Sequence, residues 1–253
     1  MIHASATRNT VLAVGLARAG VGTAVILMLL ATFAGRVAVG DSNPFDFFGY
    51  FTNLSSLLTS GVLITTGTLM MSGRPVPAWL TVARGVATAC LLIVAVVYNG
   101  LVPGTASAPP WVSAVLHIFL PLIVAIDWLS VGDRGRLPWR QLWVVLPYPV
   151  VWVTVVLIRG ATDGWVPYGF LLPERGIPSL IAHVMGLFVA LVAAGAIVWA
   201  ATRSPGIVLR RGGDGVEPAA GARKAERIPV IDQAHQVDRG RGRCGRRSWR
   251  MFR

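Results

Sequence analysis

The chain of 253 residues is 54% hydrophobic and only 13% charged, where soluble domains carry roughly 25% charge, and its mean hydropathy is +0.64. Its formal charge of +12 is unevenly spread: residues 1–202 hold 10 Lys+Arg against 6 Asp+Glu, and residues 203–253 hold 13 against 5. The basicity therefore belongs mostly to one end, which argues against a nucleic-acid partner for the chain as a whole, and two cysteines give neither a disulfide framework nor a metal cluster.

The apolar residues come in runs long enough to approach the roughly 20 residues that a helix needs to cross ~30 Å of hydrocarbon. In chain order they predict membrane spans at 10–32, 47–71, 79–102, 111–131, 142–159 and 178–201. Turn-forming residues separate them: Gly40 to Pro44, Gly73 to Pro77, Pro103 to Pro110, Gly132 to Pro138, and Gly160 to Pro178. The first run exceeds a secretory signal in length, contains Arg18 and is followed by five more, so it reads as a span. The fold class is an all-α membrane bundle of about six helices over residues 1–202. From Arg203 onward the chain is rich in Gly, Arg, Ala and Pro and poor in aromatics. Such a segment buries too little to offset its ordering entropy and reads as a disordered basic tail.

Orientation follows from arginines in the short loops. With the N-terminus inside, inner segments carry Arg8, Arg74, Arg134, Arg136 and Arg140, and outer ones Arg36, Arg175 and the helix-end Arg159. Six spans then put both termini, and the basic tail, on the cytoplasmic side of a cell membrane. That tail reads either as a solvated extension with no specific role or as a segment attracted to anionic lipid of the inner leaflet.

Polar side chains within the spans are costly and each asks for a partner or a purpose. Counted from the outer ends at 1.5 Å per residue, Thr52, His117 and His183 each lie ~8–9 Å deep. Tyr98, Asn99 and Arg159 sit near outer ends of the third and fifth spans, so one outer layer collects six polar groups. Thr52, Ser55, Ser56 and Thr59 share a helical face, which by itself reads as small-residue packing. His117 precedes Pro121 by four, so the proline leaves the His117 carbonyl without its usual helical donor. At the inner level, Arg18, Arg84 and Asp127 suggest a structural ion pair. Trp128, Trp139 and Trp143 read as interfacial anchors. No GxSxG, HExxH, Walker or CxxC motif occurs, and no cofactor or metal is expected.

Three segments together resemble the androgen-induced-protein family of six-helix membrane proteins, and more closely its bacterial integral-membrane relatives. They are Phe48-Gly49-Tyr50-Phe51-Thr52-Asn53-Leu54-Ser55; His117-x-x-x-Pro121 continuing to Asp127-Trp128; and Pro147-Tyr148-Pro149 with Trp152, Arg159-Gly160 and Gly164-Trp165-Val166-Pro167-Tyr168-Gly169-Phe170-Leu171. The resemblance spans roughly residues 10–202. It implies hydrolysis of fatty-acid esters of hydroxy fatty acids by a membrane-embedded threonine and histidine, which fall on Thr52 and His117. The chemistry fits those residue types, because a threonine hydroxyl needs a base to take its proton and histidine is the commonest one. Asn53, Ser55 and Asn99 are candidate donors to an oxyanion, and Tyr98, Arg159 and His183 are candidate binding residues. The alternatives are a transporter or lipid-binding protein using the same polar layer, and a scaffold whose polar residues only pack.

Overall fold

The computed structural model describes residues 2–101 and 108–209, with side chains from Arg8 onward. Its helices are α1 (Ile2–Ala38), α2 (Pro44–Phe48), α3 (Phe51–Met71), α4 (Ala78–Leu101), α5 (Pro110–Ala114), α6 (Leu120–Ser130), α7 (Pro147–Thr162) and α8 (Ile177–Ala201). A π-turn, Val115–Phe119, joins α5 to α6 into one span, and a 3₁₀ segment, Trp139–Val145, leads into α7. Six of the resulting helices are long and apolar enough to cross a membrane, so the chain is a multi-pass integral membrane protein. The first span is longer than the expected 10–32, because no turn-forming residue stops α1 before Gly40, whose φ of +87° suits only glycine. Residues 47–50, expected inside the second span, instead form the end of α2 and a turn. Asn43 starts α2 by accepting the Phe45 N–H at 3.0 Å, with Pro44 in its first turn.

Small residues set the closest packing. A Cβ on Gly67 of α3 would lie 2.4 Å from the Gly15 carbonyl oxygen of α1, and one on Gly22 would lie 2.7 Å from the Ser60 carbonyl oxygen. Those contacts bring two backbones together as small residues do between membrane helices. α4 packs against α3, α6 and α8 and is the central helix of the bundle. By contrast, α7 is held largely by its aromatic side chains: Tyr148 stacks on Phe51, and Trp152 donates its indole N–H to the Gly49 carbonyl at 2.8 Å.

At the end of the bundle where α1 begins and α8 finishes, buried charges are matched. Arg18 bonds Asp127 at 2.9 Å and Asp133 at 2.5 Å, while Arg84 bonds the same two carboxylates at 3.1 and 2.9 Å. The expected Asp127 pair is thus half of a neutral foursome, completed by a loop residue, Asp133. Burial alone would raise the pKa of Asp133, but Arg84 and Arg18 more than offset it and hold that carboxyl below its ordinary value. Trp128, expected at the interface, is buried and donates to the Val198 carbonyl at 2.9 Å. Trp139 and Trp143 are exposed.

The ordered body does not stop at residue 202. Residues 207 and 208 both donate to the Ser130 carbonyl, and Gly132 donates to the Val208 carbonyl at 2.7 Å. Gly206 permits this, since a Cβ there would meet the Gly132 nitrogen at 2.2 Å. Arg134 closes the junction by donating to the carbonyls of Val131, Ala201 and Ser204. The rest of the expected tail, from 210 on, lies outside the described residues.

Candidate active site

Most hydroxyls of α3 bond within their own helix. Thr59, Ser60 and Thr66 each donate to the carbonyl four residues back, on Ser55, Ser56 and Val62, at 2.7 Å. Those groups are spent inside their own helix and serve packing. Thr52 is in the first turn of α3, where the residue four back lies outside the helix. Its hydroxyl is free to face elsewhere, and it meets the imidazole of His117 across the bundle: Oγ1 to Nε2 is 3.3 Å. Both residues are buried.

The tautomer of His117 is fixed by its own helix. Nδ1 lies 2.8 Å from the Ser113 carbonyl oxygen, which can only accept, so Nδ1 carries the hydrogen. Nε2 then presents a lone pair, and Thr52 is the donor of the shared hydrogen bond. Ser113 also accepts from Nδ1 at 3.2 Å and donates to the Tyr98 hydroxyl at 2.8 Å. The Tyr98 ring stacks on the imidazole at 3.6 Å between centroids, 16° from parallel. The ring of His117 is therefore held on one edge and one face. The π-turn surrounds it, and the carbonyl freed by Pro121 receives the Asn99 side-chain N–H at 3.3 Å.

Thr52 and His117 line a cavity of about 840 Å³ whose walls come from all six spans. Its sides are mainly apolar, including Leu29, Val94, Leu116, Trp152, Phe170 and Leu187. That is the size and character of a site for a lipid-sized ligand. Asn53, Tyr98 and His183 also line it. Asn53 already donates to the Phe47 carbonyl at 2.8 Å. The other three expected residues lie elsewhere. Ser55 is engaged with the Tyr148 hydroxyl at 2.9 Å, and Asn99 serves the carbonyls of Ala95 and His117. Arg159 bonds Asp46 at 2.7 Å and Asp163 at 2.8 Å and stacks over Trp165, its guanidinium 4.2 Å from the ring centroid.

Tyr168 was not among the expected site residues, although its loop carries one of the motifs. It lines the cavity, and its hydroxyl approaches the Thr52 side chain and the amides of Phe51 and Thr52. Burial pushes its pKa up to about 12, so the hydroxyl stays protonated at neutral pH. Rings of Tyr50, Trp152 and Phe170 hold it, at 5.9, 5.8 and 5.4 Å. The sequence signal available for it was the aromatic density of 165–170, which does not say where the loop folds back. Among the described residues no group of three His, Cys, Asp or Glu side chains is placed to hold a metal ion.

Compared with known proteins, the chain matches no family model, no curated protein and no solved structure.

Proposed function

We propose that the cavity is the active site of an intramembrane lipid-ester hydrolase, with Thr52 as nucleophile and His117 as general base. The observation that carries this reading is the 3.3 Å contact between Thr52 Oγ1 and a His117 Nε2 whose lone pair is fixed by the Ser113 carbonyl. Nucleophile and base within reach, with the base oriented by a third group, is the pattern of activated hydroxyl nucleophiles. Here a backbone carbonyl takes the orienting role that a carboxylate takes in serine hydrolases. The resemblance to the androgen-induced-protein family puts the same two residues in the same roles.

In the reaction, Nε2 takes the Thr52 proton as Oγ1 attacks the ester carbonyl. The imidazolium then protonates the departing alcohol oxygen and leaves an acyl-threonine. Water, deprotonated at the same Nε2, attacks the acyl-threonine; the C–O bond to Oγ1 breaks, the imidazolium returns the proton to Thr52, and the fatty acid leaves. Charge on the tetrahedral oxygen needs donors near Oγ1. The three expected donors, Asn53, Ser55 and Asn99, are engaged with other partners. The protonated Tyr168 hydroxyl is a better placed candidate, and the Phe51 and Thr52 amides, which lack intrahelical acceptors and face that hydroxyl, would serve where the oxyanion takes its place. The apolar walls suit an acyl chain entering from the bilayer.

The test is labelling of the purified protein by a fluorophosphonate. Adduct at Thr52, lost in Thr52→Ala, supports the hydrolase; no adduct together with no ester turnover refutes it. The volume and apolar lining of the cavity equally support a non-enzymatic lipid-binding protein, which would take up lipid and turn none over. Both readings have the termini on the cytoplasmic side of a cell membrane, by the loop arginines.

A further inference from the structure

The cavity contains a second histidine built like the first. His183 follows Ser179 by four on α8, as His117 follows Ser113 by four in the fourth span. His183 Nδ1 lies 2.7 Å from the Ser179 carbonyl oxygen, so it too carries the hydrogen. Ser179 Oγ sits 3.4 Å from the same nitrogen, repeating the Ser113 contact. The ring also lies against an aromatic, Phe170, at 5.8 Å and 17°. Both imidazoles are thus locked in one tautomer with the Nε2 edge turned away from their own helix.

They differ in what that edge meets. Nε2 of His117 has Thr52, whereas Nε2 of His183 has no hydrogen-bond partner among the described residues, although the residue lines the same cavity. Phe170 and Tyr168, stacked at 5.4 Å, separate the two stations, and Tyr168 adjoins Thr52. An acceptor held in place in a largely apolar wall asks for a donor from the ligand, because an unpaired polar group there is costly once water is displaced. No Asp or Glu lines the cavity, so no carboxylate competes for that donor.

We infer that His183 is a recognition residue that accepts a hydrogen bond from a free hydroxyl on the ligand. The ligand class is therefore an amphiphile with an apolar chain and an unesterified hydroxyl, such as a partial ester of a polyol. This deepens the hydrolase reading and rests on it for the identity of the substrate, but binding can be measured without any turnover.

The test uses the full-length protein in lipid nanodiscs and a non-hydrolysable probe, dodecylglycerol ether, beside its di-O-methyl analogue, which keeps the chain and loses both hydroxyl donors. Wild type should bind the hydroxylated probe about tenfold more tightly than the analogue, the worth of one buried hydrogen bond. His183→Phe, which keeps a ring against Phe170, should abolish that ratio, and His183→Gln, which restores an acceptor oxygen, should regain part of it. Affinities are expressed per probe dissolved in the membrane, and comparing the ratio between wild type and variants in the same nanodiscs cancels the different partitioning of the two probes. Equal binding of both probes by wild type overturns the inference, as does a ratio unchanged in a folded His183→Phe protein. Tighter binding of dodecyl phosphate that depends on Arg175, the exposed cavity-lining arginine, overturns it in favour of an anionic head. Loss of ester hydrolysis in Thr52→Ala with the probe ratio intact would separate the catalytic reading from this one.

Discussion

Asn99 donates its side-chain N–H to the carbonyl of His117, 3.3 Å away, the carbonyl that Pro121 leaves without a helical donor. One residue on α4 therefore supports the backbone of the proposed base from outside its helix. Asn99→Leu should strand that carbonyl in an apolar setting, at a cost of about 1–3 kcal/mol. Thermal unfolding in detergent should show the loss, and ester turnover should fall further than stability because the His117 ring is displaced from Thr52. A variant with unchanged melting temperature and turnover would show that the carbonyl finds another donor.

For the catalytic pair, Thr52→Ala and His117→Ala should each reduce hydrolysis of a medium-chain ester to background while membrane yield stays normal. The double variant should be no worse than either single one, since residues acting as a unit are non-additive. Thr52→Ser keeps the hydroxyl and should retain part of the activity. Additive losses in the double variant would mean the two residues do not act together.

The ion foursome predicts a pH dependence of stability. Asp133 has a folded pKa below its ordinary value of about 3.9. Its contribution is present above that ordinary value and is lost as pH falls through the lower, folded one. Unfolding midpoints measured downward from pH 5 should drop in wild type and be flatter in Asp133→Asn. At neutral pH, Asp127→Ala leaves Arg18 and Arg84 with one carboxylate between them and should cost a few kcal/mol, read as lower folded yield.

Arg159 ties α2 to the loop that carries Tyr168, through Asp46, Asp163 and the face of Trp165. Arg159→Ala should raise hydrogen exchange over residues 163–171 and lower turnover, with little change in exchange at the Arg18–Asp133 end. Loss of activity with unchanged exchange would instead return Arg159 to a direct role with the ligand.

The proposed topology is checked by reporters. A fusion after residue 209 should report the cytoplasmic side, and an insertion near Ala106 the external side. Reversed signals would invert the orientation.

Much of this architecture was legible in the chain. Apolar runs and their Gly/Pro punctuation mark the six spans, since length and composition decide what crosses a bilayer. Simple helical rise puts Thr52 and His117 at one depth, and Pro121 identifies the exposed carbonyl. What resisted reading depends on contacts distant in sequence. Asp133 sits in a loop with no periodicity to say that it turns back onto Arg18, 115 residues earlier. Arg159 reads as a pocket residue until its partner Asp46, 113 residues away, is seen. Ser55 and Asn99 have the right depth, but depth does not reveal which neighbour has already claimed their hydrogen bonds.

The π-turn at Val115–Phe119 also matters as a matter of angular phase. A π-turn closes at i→i+5 where the α-helix closes at i→i+4, so it takes up one residue more. Everything N-terminal to it is rotated by about 100°, one α-helical step, relative to α6. Removing a single residue between Val115 and Leu120 would return the span to α-helical phase, with only the kink at Pro121 left. Either α6 would turn Asp127 away from the arginines, or the N-terminal half of the span would carry the His117 ring away from Thr52. In this span the two ends of the molecule are set to one another like two dials on a shaft, and the extra residue is the offset between them.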